Sequence, residues 1–237
     1  MDISKINNNL KQIHHRIKKA CHRTRRDYTD VRLEIVTKGV EPEIVDQLTS
    51  LKENLFGENR IKQTEINKLL FTCESEIHMI GHLDTNDAKK AIELYHLIES
   101  VDSIRLAEKI NFQSKKVFKI MPIFLQLKTD CQFTKHGFAE EEFLGAVRQI
   151  TAMSNLKIMG LMTLPPLTDN SENSRSYFQK LVKIKRDLEN KLGLIFLNLS
   201  MGTCQDFEVA IEEGANIVRL GRSIFGYPTR SVSLKKV

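Results

Sequence analysis

Lys38 closes a short β-prone run, Leu33 to Thr37, and is followed at once by Gly39. Leu33, Ile35, Val36 and Thr37 suit a largely buried strand, and the glycine permits a tight exit. A lysine held half desolvated at such an exit has a lowered amine pKa and attacks carbonyls. In solvent, the same lysine merely opens a loop. Two later stretches carry the composition of an anion site: Ser200-Met201-Gly202 and Gly221-Arg222-Ser223 combine glycines that let the backbone approach an anion, hydroxyls that donate and a positive charge. Read without that chemistry, they are a pair of ordinary turns. His78 and His82 stand four apart, a metal-pair spacing on a helix, but Gly81 and the strand-to-loop context break that geometry, so no metal is expected there. Glu58 and Asp102 offer either an acid–base pair or, more plainly, partners for lysines and backbone amides.

The elements that must position these residues alternate along the chain. Strand patterns fall at 33–37, 54–56, 77–80, 97–101, 117–127, 156–162, 194–199 and 216–219, with helical patterns between them at 42–51, 63–71, 86–94, 104–111, 139–153, 172–191 and 206–213. Pro42 at a helix start and Gly193 and Gly214 after helix ends are the punctuation such units need. Eight strand-then-helix repeats within 237 residues predict an α/β protein, a single (β/α)8 barrel. An open doubly wound sheet is the alternative, and it would carry a glycine-rich fingerprint after its first strand that this chain lacks. In a barrel, chemistry sits at the carboxyl ends of the strands, where Lys38, Gly57-Glu58-Asn59-Arg60, Gly81-His82, Asp102, Lys128, Thr163 and the two anion-binding stretches all fall. The loops after strands seven and eight often hold phosphate in barrels. A phosphate anchor facing a nucleophilic lysine would take an aldehyde phosphate, either a sugar phosphate or pyridoxal phosphate.

Composition narrows the classes. No run of eighteen apolar residues occurs and the first twenty residues are polar, so neither membrane insertion nor secretion is expected, and a cytoplasmic location is. Cys21, Cys73, Cys131 and Cys204 are too scattered for a zinc site or a disulfide framework and are read as free thiols. The net charge of +6 is local: residues 1–26 hold eight Lys/Arg against Asp2 alone, leaving the rest of the chain at −1. Ile3, Ile6, Leu10, Ile13, Ile17 and Ala20 form one apolar stripe, so residues 1–27 are expected to be a basic amphipathic helix packed on a barrel of residues 28–237, with its charges solvated. Nucleic acid is not the expected partner, because no aromatic residue interleaves with those charges.

Taken together, Val36-Thr37-Lys38, Phe56-Gly57-Glu58-Asn59, His78 to Leu83, Gly160-Leu161-Met162, Leu199 to Gly202 and Val218 to Gly226 resemble, in collinear order, the family of pyridoxal-phosphate homeostasis proteins. The resemblance implies a single barrel like the N-terminal domain of alanine racemase, with pyridoxal 5'-phosphate held as a Schiff base on Lys38. It implies that Ser200, Met201, Gly221, Arg222 and Ser223 lie around the phosphate, that Asn59 lies near the cofactor, and that Arg219 faces the pyridine nitrogen. An arginine there can only donate, which keeps that nitrogen unprotonated and the ring a weak electron sink. Alanine racemase tolerates this by adding a tyrosine base from a further domain. This chain ends ten residues after Tyr227, and none of Tyr28, Tyr95, Tyr177 or Tyr227 is expected at a strand exit. The resemblance therefore implies binding, buffering or delivery of the cofactor, with apo-enzymes as recipients and the chain a monomer, rather than robust turnover. A racemase-like or lyase-like enzyme using the same Schiff base is the alternative, and an interaction module built on the basic helix is a third. The chain departs from the family at Thr37 and Gly39, usually serine and threonine, at Asp84 and Asp87, usually glutamine and lysine, and at Thr203-Cys204, usually methionine and serine. Lys135 and Gly137 match a family lysine and glycine after the fifth strand.

Overall fold

The computed structural model describes residues 2–129, 136–166, 168–193, 195 and 198–226. Eight parallel strands close into a barrel in sequence order, with β8 returning to pair with β1. They are β1 (Arg32–Val36), β2 (Leu55–Glu58), β3 (Glu76–Met79), β4 (Leu97–Val101), β5 (Met121–Gln126), β6 (Leu156–Met162), β7 (Asn198–Ser200) and β8 (Ile217–Leu220). After the N-terminal helix α1 (Ile3–Arg23), the strands are followed in turn by α2 (Pro42–Ser50), α3 (Ile61–Asn67), α4 (Ala88–Leu94), α5 (Ile104–Lys116), α6 (Glu140–Thr151), α7 (Arg175–Leu192), α8 (Phe207–Glu212) and the single turn α9 (Arg222–Phe225). The expected (β/α)8 barrel is the observed fold. Part of the expected seventh strand, at 194, 196 and 197, lies outside the described residues.

One boundary differs for an identifiable reason. The β-prone run Val117-Phe118-Lys119-Ile120 does not open β5, because α5 ends there in a Schellman motif. Phe118 takes a left-handed φ of 52°, its N–H donates to Lys115 O at 3.2 Å, and Lys119 N–H reaches back to Ser114 O at 3.0 Å. Local hydrogen bonding at the helix end outweighs β propensity, and pairing starts at Met121.

Along each strand, alternate residues face the helical shell or the barrel interior. Leu33 and Ile35 pack outward with the helices, whereas an inner apolar layer is made of Leu55, Leu97, Phe124, Met162 and Ile217 among others. Two residues further along β4 and β8, the inward positions after Leu97 and Ile217 are Glu99 and Arg219. The interior therefore changes from apolar to charged as it approaches the mouth.

Helix α1 buries Ile6, Leu10, Ile13 and Ile17, each at most 3% exposed, and packs on α8 and α9. Among the described residues only the short α9 follows β8, so α1 occupies the place in the ring that a helix after β8 would take. Each such side chain contributes about 1.5–3 kcal/mol by leaving water. Its basic face is less free than the sequence suggests. Arg16 donates to both carboxylate oxygens of Glu208, at 3.3 and 3.2 Å, Arg23 pairs with Glu212 at 2.6 Å, and Arg26 donates to Ile211 O at 2.7 Å. Arg16 and Arg23, and Arg26 just beyond the helix end, thus pair with α8 while Arg16 and Arg23 keep much of their side chains in solvent.

Candidate functional site at the barrel mouth

Lys38 lies in a turn two residues beyond the end of β1, closed by Val40 N–H donating to Thr37 O at 3.0 Å, with Gly39 at a φ of 70°. Its side chain is exposed, so the half-desolvated setting expected from the strand exit is not observed. The turn lifts the residue clear of the packed strand end. Because β1 pairs with β2 and β8, Lys38 stands between the exits of those two strands, where Asn59 and Gly221 lie. Thr37 N–H donates to Gly57 O at 3.2 Å, and a Cβ on Gly221 would come within 3.0 Å of Val36 O. Backbone contact on both sides thus holds the three exits together.

Two of the expected site residues carry buried polar atoms with no hydrogen-bond partner, Asn59 Oδ1 and Ser223 Oγ. A buried acceptor or hydroxyl left unmade costs about 1–3 kcal/mol, so such atoms point to a missing partner. The loops after β7 and β8 meet where Ser223 N–H approaches Cys204 Sγ at 3.5 Å. The β7 exit is closed by Asp206, whose carboxylate accepts from Thr203 N–H at 2.7 Å and from its hydroxyl at 3.2 Å. Met201 is fully buried, and its N–H donates to Ile217 O at 3.1 Å. Lys135 and Tyr227 lie outside the described residues, as does Cys131; Cys21, Cys73 and Cys204 are free thiols.

Ser200 is placed differently from the residues of the loops. Its hydroxyl donates to Glu99 Oε2 at 2.5 Å and accepts a short hydrogen bond from Arg219 Nη1. Both its donor and an acceptor position are used inside the barrel. Arg219 is 3% exposed and also donates through Nη2 to Thr163 O at 2.8 Å. The guanidinium is therefore held from below by β6 and β7, beneath the mouth.

Around Arg219 lies a network that reading the strand exits did not single out. His78 Nδ1 is 2.9 Å from Glu99 Oε1 and 3.0 Å from Glu34 Oε1, while its Nε2 is 2.8 Å from Glu76 Oε1. Burial opposes protonation of His78, but the three carboxylates outweigh it and hold the ring as an imidazolium well above the usual histidine range. Burial, followed by repulsion from Glu99, pushes the Glu34 carboxyl up, against the pull of His78 and Arg219. Glu76, bonded to His78, is held down at about 2 despite partial burial. A period-two pattern of charge within apolar strands, Leu33-Glu34-Ile35 and Ile98-Glu99, is the sequence signal that could have found this layer.

His78 and His82 do not form a pair: His78 is in the barrel interior and His82 at the rim. Nor do Glu58 and Asp102 share a site. Glu58 faces α3, where its Oε1 accepts from Thr37 Oγ1 at 2.7 Å and Asn67 Nδ2 at 3.1 Å, and burial raises its pKa against those bonds. Asp102 instead faces His82 and His136. The partners are a hydroxyl, an amide and imidazoles rather than lysines.

A parallel barrel whose mouth joins a lysine turn to a glycine-serine loop is the architecture of the alanine racemase N-terminal domain, a family that matches residues 2–229. An alanine racemase from Clostridium difficile shares this fold with a TM-score of 0.76 at 17% identity, covering 96% of this chain and 58% of that one. Within that class, the chain belongs to the family of pyridoxal phosphate homeostasis proteins. It is 34% identical over 218 residues to the protein of that name from Aquifex aeolicus, covering 92% of this chain and 96% of the relative. It is 32% identical to the mouse protein of that name, covering 92% and 85% of the two chains. PipY from Synechococcus elongatus, a structure with PLP bound, superposes with a TM-score of 0.81 at 25% identity over 93% of this chain and 100% of that one.

Proposed function

We propose that this chain binds pyridoxal 5'-phosphate covalently through Lys38, as a Schiff base, and serves in intracellular cofactor homeostasis without robust turnover. The observation that carries the reading is the pair of unpartnered buried atoms, Asn59 Oδ1 and Ser223 Oγ, at the exits of the two strands that flank β1. When bound, the cofactor supplies an aldehyde that condenses with an amine and a ring that accepts electrons. Lys38, exposed in its turn, offers that amine without having to leave a packed environment. Asn59 and Ser223 gain the partners they lack, and Gly221, Arg222 and Met201 line the β7–β8 side, where the phosphate is expected. Ser200 acts one layer down, by fixing Arg219 toward the mouth; donating to phosphate would require its bond to Glu99 to break.

Restraint from catalysis rests on the same groups. Arg219 is permanently protonated and can only donate, so it leaves a ring nitrogen it faces unprotonated. Tyr28 bonds to His14 at 2.8 Å, Tyr95 to Thr64 at 2.6 Å, and Tyr177 lies on α7, so these three are not poised as a second base at the mouth. No described helix is long and apolar enough to cross a membrane. The reading extends to a cytoplasmic monomer, a barrel of residues 28–237 with helix 1–27 packed on it, that passes the cofactor to apo-enzymes.

The test is the absorption spectrum of the full chain with added pyridoxal phosphate, followed by borohydride reduction and peptide mapping. The expected result is a band removed by reduction, an adduct on Lys38, and loss of both in Lys38→Ala. An adduct on another lysine would sink the assignment, and saturable turnover of an amino acid that Lys38→Ala abolishes would replace homeostasis with catalysis.

A further inference from the structure

At the rim beyond β3 and β4, two imidazoles converge on one carboxylate oxygen. His82 Nδ1 lies 3.2 Å and His136 Nδ1 3.5 Å from Asp102 Oδ2, and the three donor atoms all lie within 4.8 Å of one another. The two rings stack with centroids 3.6 Å apart and an interplanar angle of 15°, so both Nδ1 edges face Asp102. We propose that His82, Asp102 and His136 form a divalent metal site of the zinc class at the barrel mouth.

Three physical arguments support this assignment. Metal–ligand distances of about 2.0–2.2 Å in a tetrahedral site place neighbouring donor atoms roughly 3.3–3.6 Å apart, close to the two separations observed. Two imidazoles and one carboxylate are a donor set suited to zinc, and three protein ligands leave a position open to water or a substrate oxygen. A second carboxylate, Asp84, stands 3.8 Å from His82 Nε2, the ring nitrogen that the metal would not use. At that distance it does not hydrogen-bond the ring, and it adds negative charge beside the cation position.

The surroundings suit entry and positioning. The His82 and His136 side chains are 40% and 54% exposed, so an ion reaches them from solvent, whereas Asp102 is only 10% exposed and its carboxylate gains from a cation that replaces lost hydration. Gln126 Nε2 donates to His136 O at 3.0 Å and ties that residue to the end of β5. The neighbouring cluster of Glu34, His78 and Glu99 also has the composition of a metal site, but the buried His78 ring already bridges its carboxylates. The rim site requires only that the two imidazoles turn out of their stack toward a shared ion.

The experiment uses the full chain free of pyridoxal phosphate, so that its outcome is independent of the Lys38 reading. Cobalt(II) is titrated at pH 7.5, followed through its visible ligand-field band, and then displaced with zinc. The expected result is one equivalent bound, with affinity lowered about tenfold or more in His136→Ala and Asp102→Asn, and unchanged in the control His15→Ala on α1. Far-ultraviolet circular dichroism checks each fold, and His136→Gln replaces any alanine variant that unfolds. Absence of a band, affinity unaltered in the rim variants, or an equal loss in His15→Ala overturns the proposal.

Discussion

His78 shows how much can rest on one buried side chain. It sits against Glu34 and Glu99 in the barrel interior, both fully buried, so replacing it with alanine leaves two carboxylates near each other with Arg219 as the remaining cation beside them. Breaking a buried ion pair from one side costs about 3–5 kcal/mol, and a loss of that size is expected in the urea unfolding of His78→Ala. Glu58 is the opposite case. Its folded pKa is raised by burial, so its contribution to stability is full below the unfolded value and is lost as pH rises through the folded one. Glu58→Gln removes that decline, and urea midpoints measured from pH 5 to 8 should fall less steeply than in the parent; parallel slopes would show that Glu58 is not the source. Gly81 is set by contact rather than by dihedral angle, since a Cβ there would meet Asn59 O at 2.3 Å. Gly81→Ala must push the β2 and β3 exits apart. It is expected to lower the yield of the Lys38 adduct as well as the unfolding midpoint, whereas a purely structural role would lower only the midpoint.

At the scale of elements, α1 is legible because its apolar residues recur at steps of three and four, and Ile6, Leu10, Ile13, Ile17 and Ala20 of that stripe are buried, joined by Cys21, while Ile3 is only partly covered. Ile13→Ala, at 2% exposure, should cost about 2–5 kcal/mol through lost burial and the cavity left behind. Arg16→Ala removes a pair whose side chains are 43% and 34% exposed, and should cost no more than about 1 kcal/mol. If the arginine proved the costlier of the two, α1 would be held by charge rather than by its apolar stripe. The arginine pairings themselves were not readable, because Glu208 and Glu212 become neighbours of α1 only when the ring of helices closes. β5 starts later than its β-prone run for a local reason: Phe118 has a β-former's side chain but occupies a left-handed helix end, a role that composition assigns to glycine or asparagine.

For the whole molecule, ionisation of the interior predicts the shape of the stability curve. Glu76, held near 2 when folded by its bond to His78, contributes stability that is present above its ordinary carboxylate value of 4.5 and is lost as pH falls through about 2. His78, raised when folded, contributes stability that is full below its unfolded value near 6.5 and is lost as pH rises through the folded one. The unfolding midpoint should therefore rise on leaving acid and decline again at alkaline pH. An alkaline limb unchanged in His78→Gln would remove His78 as its cause. The sequence by itself determined the barrel, because eight alternations of strand and helix follow from local periodicity, and it determined the order of the strand exits, because parallel strands send all their carboxyl ends to one face. Only the tertiary structure decided that Ser200 is paired with Glu99 and Arg219, that Glu58 turns toward α3, and that His82 shares Asp102 with His136 rather than pairing with His78. Those partners are separated along the chain by 9 to 101 positions. Which of them meet depends on closing the ring of strands, a long-range event that no local pattern encodes.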